Sequence, residues 1–517
     1  MAFKAAGHFH PEWMVTLGQV SSKDVSMARD SRVGTHAIVQ PILDVLQASQ
    51  AFDGITYRKG AAVINMLEDC VGADVFRDGV RAYIAGHAYG NTVTDDLWRE
   101  VDKISPRKIT EIAHDFTLQD GVPLIVATPS GNDVRLTQKR FALDESGKAA
   151  HSWRVPVIAR VPGTAAPWRG IVAAQTPVTI PGASAAGVLL NVGQNGYYRA
   201  QYAPALFAKL AAGFKKLPPA DQLGTLYDTR MLGYSGDAPL SNLLGLAEQS
   251  EPGMDRHVLA TVADRLSAID SFYRDLPSQG TLRAFGRKVL QPVLAQTGWD
   301  PKPGESENEP LLRATLLATL SEFDDPGVIG EARRLFAEYL QHPNGHSADK
   351  RRAMLEIVAL HADNATWNQL HNLAKSTSDS IQKERYYGLL GHALDPELAA
   401  RALALTLSDE VAVTTRPNII GAVSVNNPDL AFDFAIAHLD TVMSWIEPSS
   451  ATTFMPGIAS NSLDPKIIPK LEAYAAAHIP ASARRSVTVA EGAIRFNIMV
   501  REKRLPEVDR WLARHGF

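Results

Sequence analysis

Apolar residues recur at helical spacing from the N-terminus to about Val122. Val63, Ile64, Leu67, Cys70 and Val71 form one such stripe, directly after the segment Phe52-Asp53-Gly54-Ile55-Thr56-Tyr57-Arg58-Lys59-Gly60-Ala61. Gly72 is placed to end that helix, because glycine takes a left-handed turn at little steric cost. Val75, Phe76, Gly79, Val80, Tyr83 and Ile84 predict the next helix, and Ile109, Ile112 and Phe116 mark the last of this region. Thr94, followed by Asp95 and Asp96, reads as an N-cap with acids in the first turn. Upstream, Pro11-Glu12-Trp13 opens a helix and Ser21-Ser22-Lys23-Asp24 is a candidate start for another. Asp30 to Pro41 reads as an extended loop.

The pattern changes at Pro123. Leu124–Thr128, Val134–Thr137, Arg154–Ala159, Gly170–Val172 and Val188–Val192 are short, β-branched-rich runs punctuated by Gly, Pro and Asn, as expected of strands joined by turns. From Ala203 to Phe517 the helical period returns, with Leu206, Leu210 and Phe214 first and Leu389, Leu390, Ala393, Leu398, Ala402 and Leu405 in the middle. Helix starts there carry an Asx-Pro signal at Asp325-Pro326, Asp395-Pro396, Asn427-Pro428 and Asp464-Pro465, where the Asx caps and proline takes the first turn. The expected fold is mainly α with a small β domain. It comprises a helical region over 1–122, an antiparallel β-sandwich over 123–202, and a HEAT- or armadillo-like α-solenoid of degenerate helical pairs over 203–517.

Composition narrows the function classes. A net charge of −4 over 517 residues gives no footprint for a nucleic-acid partner. No apolar run is long enough to span a bilayer, and the first residues lack the apolar segment of a signal peptide. A soluble protein is expected, with the compartment open between cytoplasm and periplasm. One cysteine, Cys70, excludes an internal disulfide and reads as a small core hydrophobe.

Tyr57 taken alone reads as a packing or ordinary surface group, and the segment around it is what makes it the candidate catalytic residue. It stands where a loop meets a helix, so its hydroxyl can be fixed from behind and still donate a hydrogen bond to a developing oxyanion. Asp53 is suited to cap the local turn and Lys59 to pair with a nearby carboxylate. His8 and His10 lack a third ligand nearby, and His361 and His371, flanking Trp367, are expected in solvent. No Ser-His-Asp or Cys-His arrangement and no glycine-rich phosphate loop can be assembled.

The segment F-D-x-I-x-Y-x-K-G-A resembles that of the aminopeptidase N family of zinc metallopeptidases, the gluzincin aminopeptidases. The resemblance continues through His87-Ala88-Tyr89-Gly90-Asn91-Thr92, Gln119-Asp120-Gly121-Val122-Pro123 and the run from Asn191 to Gly196-Tyr197-Tyr198-Arg199. Phe116 stands where the family usually has tryptophan. The resemblance implies that 1–122 is the C-terminal helical part of a thermolysin-like peptidase domain, 123–202 a linking sandwich, and 203–517 the superhelical C-terminal domain. It implies peptide substrates, zinc in the intact enzyme, and Tyr57 as the residue that stabilises the tetrahedral intermediate. The family's H-E-x-x-H zinc motif and G-x-M-E-N loop are absent, no histidine is followed by Glu, and no metal ligand is assigned in this chain. Met1 to Trp13 resembles the stretch just after the family's third zinc ligand. The expectation is a C-terminal portion, inactive alone, with an exposed apolar face that contacts a missing N-terminal half. The alternative is a non-catalytic solenoid that binds peptides or a partner protein.

Overall fold

Helix dominates the structure, a computed structural model that describes residues 2–42, 51–143 and 151–517; 63% of it is helical and the strands are confined to one small region. Met1 and the stretches 43–50 and 144–150, over which the domain expectations also run, lie outside the described residues. The chain forms two compact units, Met1–Gln249 and Ser250–Phe517.

The first unit opens with α1 (Ala2–Phe9), a tight turn at Pro11–Trp13, and α2 (Val15–Asp30). The second start expected at Ser21–Asp24 does not occur, because Leu17, Val20, Asp24 and Met27 continue one buried face through it. Residues 31–42 contain no helix or strand, as the loop expectation had it. A wide helical turn, Ile55–Lys59, then leads without a break into α3 (Gly60–Val71). This helix buries Ala62, Val63, Met66 and Leu67, while Ile64 is exposed and Cys70 and Val71 are only half-buried. Two apolar stripes overlap on α3, and the one containing Met66 wins: its sulfur lies 3.4 Å from the Tyr197 N–H it accepts. Gly72 ends α3 at φ +93°, in the role expected of it.

Next come α4 (Ala73–Gly86), α5 (Thr94–Ile104) and α6 (Thr110–Thr117). At Gly79 a Cβ would sit 2.6 Å from Val101 Cγ2, so α4 and α5 approach closely there. Thr94 is the first helical residue rather than the cap; the Asp96 carboxylate instead reaches back to the Val93 N–H at 2.8 Å.

The strands are β1 (Val122–Ser130), β2 (Asp133–Phe141), β3 (Val155–Arg160), β4 (Trp168–Val172), β5 (Val178–Ile180), β6 (Leu189–Leu190) and β7 (Arg199–Tyr202). They form two sheets, ordered β5-β2-β1-β7 and β4-β3-β6. β1 and β2 are a hairpin, paired from Val122↔Phe141 to Ser130↔Asp133. The pairing of β1 with β7 is parallel, Leu124 opposite Arg199, where an antiparallel arrangement was expected. β7 reaches the sheet only after β6 and the loop beyond it, a connection long enough for a parallel crossover. Gln138 ties the two sheets: its side-chain amide donates to Trp153 O at 2.8 Å and Val172 O at 2.9 Å.

After α7 (Pro204–Ala212), α8 (Pro219–Ser235) is buried on every side from Asp221 to Tyr234. Its polar residues therefore need internal partners. Arg199 of β7, wholly buried, lies 2.7 Å from Asp24 of α2 and 3.2 Å from Asp228 of α8, and Arg230 of α8 lies 2.8 Å from Asp24.

The second unit is a succession of helices with Asx caps. Asp325 accepts from Val328 N at 2.9 Å and Asp395 from Glu397 N at 2.8 Å, as the Asx-Pro signal predicts. Asn427 instead donates to Ala393 O at 3.2 Å, and Asp464 accepts from Lys466 N just before the helix Ile467–His478. Polar bonds recur at a fixed separation: Asn418 to Glu384, Asn426 to His392, Asn427 to Ala393 and Ser486 to Thr452 each span 34 residues. The first three join the same two stretches, 384–393 and 418–427, and the fourth joins a separate pair. His361 and His371 are half-buried rather than in solvent: His361 lies 2.9 Å from Ser321 O, and His371 is bonded to Glu410.

Removing one partner of a buried pair strands the others. Arg199→Met is expected to lower unfolding stability by about 3–5 kcal/mol. Urea denaturation checks this, and a loss below about 1 kcal/mol would mean that Asp24 and Asp228 find other partners.

Candidate functional site

Tyr57 is held by its two flanks. Ile55 and Lys59 are both wholly buried, whereas Tyr57 between them is 59% exposed. The turn that carries it is closed by Asp53, whose Oδ1 accepts from the Ile55 N–H at 2.9 Å and the Thr56 N–H at 3.1 Å. The other carboxylate oxygen takes His36 Nε2 at 2.9 Å and the Arg29 guanidinium at 3.1 Å. Burial pushes the Asp53 carboxyl up, but the His36 bond, the Thr56 N–H and the Arg29 charge outweigh it and hold the group below the usual carboxylate range. The Tyr57 N–H bonds to Asp53 O at 3.1 Å. The Phe52 ring, 74% exposed, has its centroid 6.3 Å from that of Tyr57.

Lys59 anchors the turn from below. Its ammonium lies 2.8 Å from Asp30 Oδ2, donates to Gln119 O at 3.0 Å, and sits 5.6 Å from the centre of the Tyr197 ring. Asp30 in turn accepts from the Thr35 hydroxyl at 2.6 Å, the Gly121 N–H at 2.8 Å and the Tyr197 hydroxyl at 3.1 Å. Three of the family-like sequence segments, those holding Tyr57, Gly121 and Tyr197, therefore meet on Asp30. Asp30 itself went unnoticed in the sequence because nothing in its neighbours marks it as a buried acceptor.

The segment after β6 is closed by Asn191, which exchanges two bonds with Gly196: Nδ2 to Gly196 O at 3.1 Å, and Gly196 N to Oδ1 at 2.8 Å. Asn191, Gly193 and Gln194 all have positive φ, 58°, 74° and 62°. Lys23 holds this loop by donating to Gln194 O at 2.5 Å and Gly196 O at 2.9 Å. Burial pushes the Lys23 ammonium down to about 7; Asp228, Asp24 and Asp221 pull it back up and Arg199 opposes them. His87–Thr92 is a surface turn, with Tyr89 at φ 60° and Gly90 N bonded to His87 O at 3.0 Å.

Among the described residues no cluster of three His, Cys, Asp or Glu side chains could hold a metal ion, so the residues present do not fit a zinc site. What the arrangement can supply is a phenol hydroxyl in open space on a turn fixed at both ends. Burial pushes the Cys70 thiol up, against the opposing Arg107 charge, which suits an inert side chain.

Two family models match stretches of this chain. The Peptidase family M1 domain matches residues 1–116, and the ERAP1-like C-terminal domain matches residues 187–495. Aminopeptidase M1-A of Oryza sativa subsp. japonica is 30% identical over 433 residues, 80% of this chain and 48% of that protein. Aminopeptidase 2 of Candida albicans is 26% identical over 80% of this chain and 46% of its own length, and aminopeptidase N of Lactobacillus delbrueckii subsp. lactis is 26% identical over 73% and 45%. The chain belongs to the M1 aminopeptidase family, a family of zinc metallopeptidases. It spans about half the length of the relatives it matches.

Two outcomes are expected from the geometry. Asp30→Ala leaves Lys59 buried without its carboxylate and is expected to cost about 3–5 kcal/mol, while Tyr57→Phe changes stability by no more than about 0.5 kcal/mol; guanidinium denaturation of both variants checks the contrast. Lys23 titrates near 7 when folded, below its ordinary 10.5, so the unfolded chain binds more protons between those values. Stability is therefore expected to rise with pH across that window. Measured against Lys23→Met, the wild-type curve should gain with pH; parallel curves would contradict the assignment.

Proposed function

We propose that this chain supplies the C-terminal part of a zinc-dependent aminopeptidase that releases N-terminal residues from peptides. Tyr57 donates its hydroxyl hydrogen to the oxyanion that forms on the first peptide carbonyl. The observation that carries this reading is the exposed phenol pinned between the buried Ile55 and Lys59, within the part that matches the Peptidase family M1 domain. Zinc ligands and a general base come from outside the described residues, and no step is assigned to a metal here.

In this reading residues 1–122 complete the peptidase domain, 123–202 form a linking β-sandwich, and 203–517 form an α-solenoid. The Gln138 tie between the two sheets supports the second assignment, and the succession of helices packed each on the next from Arg256 to Lys503 supports the third. Phe9, Phe52 and Ile64, exposed in the first region, support a surface that packs against the zinc-bearing part of the enzyme.

The purified chain alone is expected to leave an aminoacyl-anilide uncleaved with zinc present. A chimera placing the upstream part of rice aminopeptidase M1-A before this chain is expected to cleave it, and Tyr57→Phe in the chimera to lower kcat by roughly 100- to 1,000-fold with KM little changed. Zinc-dependent cleavage by the chain alone would overturn its inactivity. An active chimera indifferent to Tyr57→Phe would overturn the role of Tyr57. A folded but inactive chimera favours the binding-protein reading.

A further inference from the structure

A second feature lies beside the Tyr57 turn and is used by none of the chemistry above. A cleft of about 320 Å³ runs between two helix faces, Thr16, Gln19, Val20 and Lys23 on α2 and Arg58, Ala61, Ala62 and Asn65 on the turn and α3. Both sets follow the i, i+3, i+4, i+7 spacing of one helical face. The loop Gly193–Asn195 also lines it, with Gly193 and Gln194 in the left-handed conformation. Non-glycine residues held there cost energy and collect at functional sites.

The charged side chains that line the cleft are both cations, with Asp221, Asp24 and Asp228 lying behind Lys23 and the Gly193 N–H donating to Asp221 at 2.8 Å. The two cations are Lys23 and Arg58, and among the described residues no carboxylate lines the cleft, although the chain as a whole carries −4. Lys23 is 5% exposed and spends two donors on Gln194 O and Gly196 O; among the described residues its third has no protein partner. Arg58 is exposed and, like Gln19, Asn65 and Asn195, has no side-chain hydrogen-bond partner among the described residues. The apolar floor of Val20 and Ala62 leaves these polar groups as the recognition elements.

We propose that this cleft binds the C-terminal carboxylate of a short peptide, Arg58 and Lys23 taking the carboxylate and Gln19, Asn65 and Asn195 the adjoining amides. A guanidinium and an ammonium match a carboxylate, and side-chain amides, each donor and acceptor at once, match peptide groups. The choice of a peptide as carrier of the carboxylate rests on the aminopeptidase reading; the preference for an anion does not.

The test is ligand-observed NMR on the full chain below pH 7, where Lys23 carries its proton. The probes are tetra-alanine with a free C-terminus, its C-terminal amide, and inorganic phosphate. The free acid is expected to bind at least roughly ten-fold more tightly than the amide. Arg58→Gln, an exposed position whose change leaves the fold intact, should remove most of that difference. Tyr57→Phe should leave all three affinities unchanged, which separates this site from the proposed catalytic one. Equal binding of acid and amide, no binding of either, or indifference to Arg58→Gln overturns the proposal. Phosphate that binds through Arg58 as tightly as the free acid overturns the peptide part and leaves a small-anion site. None of these outcomes depends on whether the chimera is active.

Discussion

The buried carboxylate of Asp30 is the constraint on which the arrangement around Tyr57 depends. An ionised carboxylate out of water is costly unless every lone pair finds a donor. Asp30 meets that demand with Lys59, the Thr35 hydroxyl, the Gly121 amide and the Tyr197 hydroxyl. Those donors come from the loop after α2, the turn before α3, the start of β1 and the approach to β7. Each can satisfy Asp30 only if the others are in place, so the position of the turn is set by the whole unit and not by its own sequence.

The second buried cluster works the same way in the middle of α2, at Asp24. Arg199 needs both Asp24 and Asp228 because a guanidinium without partners could not stay inside. With Lys23 holding the Asn191–Gly196 loop, consecutive residues of α2 reach into two neighbouring structures. One helix thereby fixes the β region and α8, and through Asp30 the Tyr57 turn. Rigidity of this kind is what the role proposed for Tyr57 requires, because a hydrogen bond useful in a transition state must already be aimed before the charge develops.

Parts of this were legible along the chain. The stop at Gly72, the Asp325 and Asp395 caps, and the role of Asp53 in its turn are local, and local chemistry decided them. The pairing of Lys59 with a carboxylate was legible as a need but not as Asp30, which lies 29 positions away. On α3 the periodicity allowed two overlapping apolar faces, and contact between Met66 and the Tyr197 backbone chose between them. His361 and His371 looked like surface residues because their partners are distant in the chain, Ser321 in the helix Glu309–Glu322 and Glu410 in the turn after the helix Pro396–Leu405.

The sequence by itself determined the family and a mainly helical fold with a small β region, because motifs, periodicity and caps are properties of nearby residues. The proposed role of Tyr57 came with the resemblance of its segment, and the exposure of the phenol on a turn closed by its neighbour Asp53 is what the structure adds. Only the tertiary structure decided that β7 runs parallel to β1, that Asp30 joins three separate motifs, and that Lys23 and Arg58 line one cleft between α2 and the turn into α3. Those are matters of which distant groups must be brought together to satisfy charges removed from water, and no local pattern records them.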